Sequence, residues 1–134
     1  MPPFVASIDQ GTTSSRFIVF DKHGAVVAFH QQEFPSIYPQ AGWCEQDPLV
    51  IWESVKQCIS ETIKKFIALG HSPKDIASIG ITNQRETTIV WDRITGEPLH
   101  HALVWLDTRT SETVLDLIAN TPSKNKDAFR VGVP

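Results

Sequence analysis

The sequence predicts an α/β fold in which a mixed β-sheet is joined by helices. The chain opens with three strand-length apolar segments separated by turn signals, and a long segment of helical periodicity then leads into another apolar segment of strand length. A strand, a helix and a second strand in that order form a crossover, which makes a parallel strand pair and is almost always right-handed. We therefore expect a sheet that is antiparallel at its start and parallel where the helix returns the chain to it.

The first three strands are predicted at residues 5–9, 16–21 and 25–34. Only a short loop separates the first two, so we expect them to form a hairpin with an enlarged turn. The tetrapeptide Asp-Lys-His-Gly at residues 21–24 is a second turn signal. The third strand becomes polar towards its end, as the edge strand of a sheet does.

A long helix is predicted after the loop of residues 35–48. Asp47 is placed to cap it, Pro48 to be its first residue, and Gly70 to end it. The apolar residues recur at helical spacing and form one broad face, which we expect to pack on the sheet. The members of this face are Ile51, Val55, Cys58 or Ile59, Ile63, Phe66 and Ile67.

The rest of the chain predicts three further strands and a second helix. These elements are strands at residues 76–81, 88–92 and 102–106, a turn at residues 95–98, and a helix at residues 110–120. The pattern fades after Thr121. Three meandering strands followed by a helix and a strand is the order found in actin-like, ribonuclease H-like nucleotide-binding domains.

Length and composition restrict the class of protein. The 134 residues and the 41% hydrophobic content suit one ordinary globular domain or a piece of a larger one. A net charge of −3, without a long run of either sign, excludes a basic surface for nucleic acid. We see no secretory signal at the start of the sequence and no apolar run long enough to cross a bilayer.

The cysteines and the paired histidines do not predict a metal site. Cys44 and Cys58 lack metal-ligand or redox spacing, so we interpret both as reduced thiols of an intracellular protein. His100 and His101 are adjacent, and neighbouring side chains in an extended segment point to opposite sides. A pair of surface histidines is therefore the favoured interpretation.

The loop between the first two strands, DQGTTSSR, contains the parts of a phosphate-binding site. Gly11 allows backbone N–H groups to converge on an anion, because glycine tolerates the dihedral angles that this requires. Arg16 can neutralise phosphate oxygens through a bidentate fork. The hydroxyl groups that can donate hydrogen bonds to those oxygens belong to Thr12, Thr13, Ser14 and Ser15.

An acid completes this loop. Asp9 ends the first strand and can hold a magnesium ion through the ion's own waters, because Mg²⁺ keeps much of its hydration. The loop is not a Walker P-loop, since the sequence contains no GxxxxGK[ST]. Hydroxyls are common in ordinary turns, which is the favoured interpretation for any one of them alone. The combination of acid, glycine, hydroxyls and arginine favours phosphate binding.

A second polar segment, residues 82–88, lies between two apolar strands. Arg85 and Glu86 together offer the donors and acceptors that a small polyol requires, and a surface ion pair or a solvated loop is the competing interpretation. Trp105 is a third candidate, for which an ordinary place in the core is the competing interpretation.

These motifs resemble the N-terminal part of the glycerol kinases, which belong to the FGGY carbohydrate kinases. The resemblance rests on DQGTTSSR, GWCEQDP, ITNQRETTIVW and VWLDTRT, and runs nearly without gaps from Ile8 to about Thr110. The first motif is shared across the FGGY kinases. The NQRETT segment is more specific to glycerol kinases, which favours them over kinases for pentuloses and hexuloses.

The resemblance implies roles for the residues of the first loop. Thr12, Thr13 and Ser14 match residues that meet the ATP phosphates, and Thr12 also lies by the phosphate of the product. Arg16 matches the arginine that contacts the nucleotide. Asp9 matches the magnesium-associated acid, with the ion held indirectly through water. The implied cofactors are ATP and Mg²⁺.

The resemblance also implies the contacts to the substrate. Arg85 and Glu86 match the pair that binds the glycerol hydroxyls, and Trp105 matches the tryptophan that packs on the glycerol carbons. The catalytic aspartate and a glycerol-binding tyrosine have no counterpart in this sequence and are expected beyond Pro134. Residues 1–134 would then be an incomplete first domain of a two-domain kinase, inactive without its second domain.

For the complete protein, the resemblance implies ATP-dependent phosphorylation of glycerol to sn-glycerol 3-phosphate. It further implies a cytoplasmic homo-oligomer that binds glycerol and ATP or ADP and no nucleic acid. Two alternatives stay open. One is a truncated product that binds or assembles without catalysis, and the other is a kinase for another polyol or sugar.

Overall fold

The computed structural model describes residues 3–120, which form a mixed sheet with a long helix against it and a smaller sheet beside it. In chain order the elements are β1 (Phe4–Gln10), β2 (Ser14–Asp21), β3 (Val26–Glu33), β4 (Glu45–Gln46), α1 (Pro48–Ala68), a short 3-10 helix (Pro73–Asp75), β5 (Ile76–Asn83), β6 (Ala102–Leu103) and α2 (Ser111–Asn120). The main sheet has the order β3-β2-β1-β5, and β4 pairs with β6 in the small sheet. This confirms the predicted α/β class.

Strand pairing in the main sheet follows the predicted order. β1 and β2 are antiparallel neighbours, with Asp9 directly opposite Arg16, so they form the expected hairpin. β2 and β3 are also antiparallel. β5 runs parallel to β1, with Ile8 opposite Ile81 and the pairing ending at Gln10 opposite Asn83. The predicted parallel pair is therefore confirmed, although the partner of β5 is β1 and not β3, which lies at the opposite edge of the sheet.

Helix α1 begins and ends where the sequence predicts. The side chain of Asp47 caps its start and accepts a hydrogen bond of 2.8 Å from the backbone N–H of Leu49. Pro48 is the first helical residue, where a missing N–H costs nothing. Gly70 follows the last turn with φ of +88°, a left-handed conformation that glycine adopts without steric cost.

The apolar core lies between α1 and the first three strands. Its buried members are Phe4, Ala6, Phe17, Val19, Ala28, Cys58 and Phe66. Burial raises the pKa of the Cys58 thiol, and both cysteines are buried free thiols. Ile67, predicted on the packed face of α1, is instead 52% exposed.

Two polar residues take part in the packing of α1, which the apolar pattern did not predict. Ser54 is buried, and its hydroxyl lies 2.8 Å from the hydroxyl of Ser15 on β2. Thr62 is also buried, and its hydroxyl donates a 3.0 Å hydrogen bond to the carbonyl of Phe17. Each hydroxyl therefore has a partner, which removes most of the cost of burying it.

The structure corrects the prediction for the second half of the chain. Residues 88–92 are not a strand, because only isolated bridges from Thr88 to Leu103 and from Trp91 to Pro98 occur there. The strand predicted at residues 102–106 shortens to β6. The loop at residues 35–48 contains the short strand β4, which is the partner of β6.

The helix predicted at residues 110–120 is confirmed as α2. α2 differs from the predicted helix by one residue at its start. The fading pattern after Thr121 lies outside the described residues. Within residues 3–120, no helix combines the length and the apolar character that crossing a membrane requires.

Candidate functional site

The carboxyl ends of β1 and β5 open into a cleft of about 830 Å³. Ligands commonly bind at this place in α/β sheets, because parallel strands end side by side there and the loops that follow them converge. The residues that line the cleft are Asp9, Gln10, Gly11, Thr12, Thr82, Asn83, Gln84, Arg85, Glu86 and Trp105. The cleft thus joins both polar segments that the sequence singled out, and its lining includes four residues of these segments to which the sequence assigned no role, Gln10, Thr82, Asn83 and Gln84.

The turn between β1 and β2 needs Gly11 for a different reason from the predicted one. The φ of Gly11 is not positive. Its backbone N–H donates a 2.9 Å hydrogen bond to the carbonyl of Ser14, and a Cβ at Gly11 would lie 3.2 Å from that same oxygen. The glycine therefore permits a close approach of backbone to backbone, and its N–H is occupied by the turn itself.

The four hydroxyls of the turn have different environments. Thr12 lines the cleft, and its Oγ1 accepts a 3.1 Å hydrogen bond from Nε1 of Trp105. Thr13 is exposed. Ser14 is buried and accepts a 3.1 Å hydrogen bond from Gln31. Among the residues predicted to meet phosphate, the cleft is therefore lined by Thr12 and not by Thr13, Ser14 or Arg16.

Ser15 has no place in a phosphate site. It is completely buried between β2 and α1, and its hydroxyl is paired with that of Ser54 at 2.8 Å. The prediction that it could donate to phosphate is wrong, because alternation along β2 turns its side chain towards the helix.

Asp9 and Arg16 face each other across the hairpin. Nη2 of Arg16 lies 3.2 Å from Oδ2 of Asp9, and both side chains are partly exposed. Within residues 3–120, no group of three histidine, cysteine or acidic side chains is close enough to form a metal site. The carboxylate of Asp9 fits the coordination of Mg²⁺ in phosphate sites, where one or two carboxylates, waters and substrate phosphates supply the oxygens.

The segment after β5 presents its charged residues at the cleft. Arg85 and Glu86 line the cleft and are exposed, whereas Gln84 before them is buried. Glu86 has φ of 59°, in the left-handed region that a non-glycine residue adopts at a cost of about 1–3 kcal/mol. Such strain persists where the surroundings impose it, and it is frequent at binding sites.

Trp105 forms one wall of the cleft. Its side chain is tied to Thr12, and its backbone N–H donates a 3.3 Å hydrogen bond to Oγ1 of Thr87. The residue is 48% exposed, so it is not part of the core that residues 3–120 form. An indole ring fixed at its N–H edge can present its apolar face to the carbon atoms of a ligand.

Comparison with known protein families shows which family the chain belongs to. A family model described as the N-terminal domain of the FGGY family of carbohydrate kinases matches residues 4–131. The chain belongs to the FGGY family. The match includes the whole described sheet, both polar segments of the cleft and Trp105.

Individual relatives of this FGGY chain agree with the family. It is 51% identical over 133 residues to a probable glycerol kinase of Caenorhabditis elegans, covering 97% of this chain and 26% of the relative. The structure of Plasmodium falciparum glycerol kinase with ADP superposes with a TM-score of 0.78 at 38% identity, covering 92% of this chain and 24% of the other. The xylulose kinase of Rhodospirillum rubrum shares the fold, with a TM-score of 0.79 at 24% identity over 90% and 24% of the two chains. The chain spans about a quarter of the length of these relatives.

A second cluster in this FGGY chain lies at the small sheet, to which Glu45 belongs. Nη2 of Arg109 lies 2.7 Å from carboxylate oxygens of both Glu45 and Asp107, which are almost completely buried. The guanidinium group also lies 3.8 Å from the centre of the Trp43 ring, within the range of a cation–π contact. Hydrogen bonding to Arg109 lowers the pKa of Asp107 to about 2 and, together with a hydrogen bond from His101, lowers the pKa of Glu45.

This cluster revises the interpretation of the histidine pair. His101 is not simply a surface residue, because its Nδ1 lies 2.9 Å from Oε2 of Glu45. His100 is exposed, and its Nδ1 lies 3.0 Å from the carbonyl of His101. Glu45 and Arg109 are 64 positions apart, so no local spacing in the sequence could reveal their contact.

Proposed function

We propose that this chain is part of a glycerol kinase, which transfers the terminal phosphoryl group of ATP to glycerol and releases ADP and sn-glycerol 3-phosphate. One observation carries the proposal: a single cleft brings Thr12 of the first turn together with Arg85, Glu86 and Trp105. The relatives support glycerol as the acceptor. Identity is 51% and 38% to two glycerol kinases, but 24% to a xylulose kinase of the same fold.

On the phosphate side, the protein supplies position and charge, which phosphoryl transfer requires more than covalent help. Thr12 accepts its hydrogen bond from Trp105 and so keeps its own hydroxyl proton for a phosphate oxygen. Thr13 and Ser14 are proposed as further donors to the ATP phosphates. Arg16, beside the cleft, adds positive charge against the nucleotide.

Asp9 is proposed to hold Mg²⁺ through water. Its Oδ2 contacts Arg16, which leaves the other carboxylate oxygen available to a hydrated ion. Bound Mg²⁺ would neutralise negative charge on the phosphates. Asp9 thus places one carboxylate at the point where the first turn meets the cleft.

On the acceptor side, Arg85 donates hydrogen bonds to glycerol hydroxyls and Glu86 accepts them, which fixes the orientation of the polyol. The face of Trp105 packs on the carbon atoms. We assign no catalytic base to residues 3–120, and the proposal places the base beyond Pro134. The cytoplasmic location and the homo-oligomeric state stay predictions from the resemblance.

The first test uses the protein that carries this segment together with its second domain. Release of ADP from Mg-ATP is measured with glycerol, with xylulose, with gluconate and with no acceptor. We expect a signal that depends on glycerol. A kcat/KM that is larger for xylulose or gluconate than for glycerol would show that the acceptor is a sugar or sugar acid. If none of the three acceptors increased the release of ADP, the proposal would be contradicted.

The second test changes one arginine in the cleft and one outside it. Arg85→Ala should lower kcat/KM for glycerol at least about tenfold, the scale of a lost hydrogen bond to a charged group. Arg93→Ala is the matched control, because Arg93 is exposed in a turn and does not line the cleft. Equal kcat/KM for the two variants would remove Arg85 from the proposed site.

A further inference from the structure

The amide of Gln46 is buried at the back of the cleft and is fully hydrogen bonded. The residue lies on β4 with no exposed surface. Its Nε2 donates to the carbonyl of Thr12 at 2.7 Å and to Oγ of Ser36 at 3.0 Å. Its Oε1 accepts a 2.9 Å hydrogen bond from Nε2 of Gln84. A buried amide with all of these groups satisfied fixes the position of its partners, because moving any of them would leave a polar atom unpaired.

Gln84 continues the network towards the other side of the cleft. Besides contacting Gln46, its Nε2 lies 3.4 Å from Oε1 of Gln10. Its Oε1 accepts a 2.8 Å hydrogen bond from the hydroxyl of Thr87. Gln84 directly precedes Arg85, so its position determines where the charged pair of the cleft begins.

These contacts form a closed ring. The backbone N–H of Trp105 donates to Thr87, Thr87 donates to Gln84, Gln84 donates to Gln46, and Gln46 donates to the carbonyl of Thr12. The indole N–H of Trp105 closes the ring on the hydroxyl of the same Thr12. The donors and acceptors alternate consistently, so every hydrogen bond can exist at the same time.

The ring begins where the sheet stops holding the site together. Pairing of β1 with β5 ends at Gln10 and Asn83, and the turn and the charged segment both lie beyond those residues. Backbone hydrogen bonds of the sheet therefore do not fix the distance from Thr12 to Arg85. The two amide side chains supply that connection.

We propose that Gln46 and Gln84 are positioning residues, which hold the phosphate turn and the polyol-binding segment at the separation that phosphoryl transfer requires. The inference rests on the proposed function, because it assigns the two sides of the cleft to ATP and to the acceptor. Gln46 does not line the cleft, so it acts through Thr12 and Gln84. Misplacement of a reacting group by about 1 Å can lower a rate by about 10²-fold, so a network of this kind has a measurable effect.

The test compares variants of the protein that carries this segment with its second domain. Gln46→Met keeps the approximate shape and removes the hydrogen bonds. Thr87→Val removes only the hydroxyl that joins Trp105 to Gln84, whereas Thr87→Ser restores it. Gln57→Met is the matched control, because Gln57 is exposed on α1 and outside the network.

We expect Gln46→Met and Thr87→Val to lower kcat about tenfold or more, with KM for glycerol and for ATP changed much less, because each ligand keeps its own contacts. Binding of an ATP analogue should also alter the Kd for glycerol less in these variants than in the unmodified protein. Thr87→Ser should recover most of kcat, and Gln57→Met should match the unmodified protein. Thermal unfolding of each variant identifies any loss of folded protein.

The outcomes separate this inference from the proposed function. If the unmodified protein phosphorylates no acceptor, both are wrong. If it is active and Gln46→Met and Thr87→Val keep a normal kcat, the inference alone is wrong. A loss of kcat that merely follows the loss of folded protein, or a Thr87→Ser variant as slow as Thr87→Val, also overturns it. Should Gln46→Met fail to fold, the partly exposed Thr87 still decides the question.

Discussion

The region formed by β1–β3 and α1 differs in chemistry from the region formed by β4, β6 and residues 82–109. The first is held by an apolar core in which Phe17, Val19 and Phe66 are almost completely buried. The second contains fewer buried apolar residues, and its strands are only two residues long. Amide and charged side chains take their place, chiefly the buried side chains of Glu45, Gln46, Gln84 and Asp107 and the partly buried Arg109.

This difference shows how the chain divides support from function. Apolar packing tolerates small shifts in direction, because dispersion and burial are not directional. Hydrogen bonds and ion pairs impose distances and angles, so they suit the part of the molecule that must present polar groups at fixed positions. The cleft lies at the boundary, with Asp9 and Thr12 supplied by the apolar region and Arg85, Glu86 and Trp105 supplied by the polar region.

The largest effect is expected from a substitution that disrupts the apolar region. Phe66→Ala removes a ring with no exposed surface that contacts Phe4 edge to face at 5.0 Å. Such a change costs about 3–5 kcal/mol of the free energy of unfolding, because it loses the transfer energy and leaves a cavity. Urea unfolding of the expressed protein measures the loss. Hydrogen exchange should accelerate first in β1–β3, and exchange that accelerated only around β4 and β6 would show that the two regions are not held as described.

The next largest effect is expected from a substitution that disrupts the polar region. Arg109→Met leaves the buried carboxylates of Glu45 and Asp107 without their shared cation, which is the unfavourable way to disrupt a buried ion pair. Hydrogen exchange should accelerate in β4, β6 and the neighbouring loop, with less change in β2. Arg109→Lys is the control, since it keeps the charge but loses the planar fork, and we expect an intermediate effect. An equal acceleration in β2 would mean that the cluster supports the whole chain and not one region.

The two regions also differ in how far the sequence could predict them. Helix α1 was predictable because a capping aspartate, a proline at the first position and a terminal glycine coincide with one apolar period. Its crossover then required a parallel pair, which β1 and β5 form. In the apolar region the sequence missed the buried Ser54 and Thr62, since their partners lie on another element and no single period reveals them. It also placed Ile67 on the packed face of α1, where the structure leaves it 52% exposed.

In the polar region, apolar runs were misleading. Val90 and Trp91 suggested a strand, but they are 58% and 60% exposed and form no ladder in the described part of the chain. The cluster of Arg109 joins segments 64 positions apart, and local spacing carries no information about such contacts. The cleft itself was predictable in part, because strand ends and polar motifs could be identified separately, and their roles stay predictions until ligands are tested.

A smaller effect is expected on the stability of the protein in acid. Because Arg109 holds the pKa of Asp107 near 2, below its ordinary 3.8, the charged carboxylate stabilises the fold above about pH 4. That contribution disappears as the pH falls from about 4 towards 2, since the folded state then also binds the proton. Asp107→Asn should therefore lower the urea midpoint at neutral pH, and the midpoint of this variant should fall less steeply as the pH decreases from about 4 towards 2. Asp116→Asn, on the exposed side of α2, is the control and should keep the pH slope of the midpoint found for the unmodified protein. Identical slopes for the two variants would contradict this role of Asp107.

The smallest effect tests whether the apolar region also depends on directional contacts. Thr62→Val keeps the shape and the β-branched character of the side chain, so neither a cavity nor a change in helix propensity confuses the result. It removes the 3.0 Å hydrogen bond to the carbonyl of Phe17, and we expect a loss of about 1 kcal/mol in urea unfolding. Thr113→Val, on exposed α2, serves as the matched control. If Thr62→Val were as stable as the unmodified protein, the gain in apolar burial would offset the lost hydrogen bond, and the Thr62 hydroxyl would add no net stability to the packing of α1 on β2.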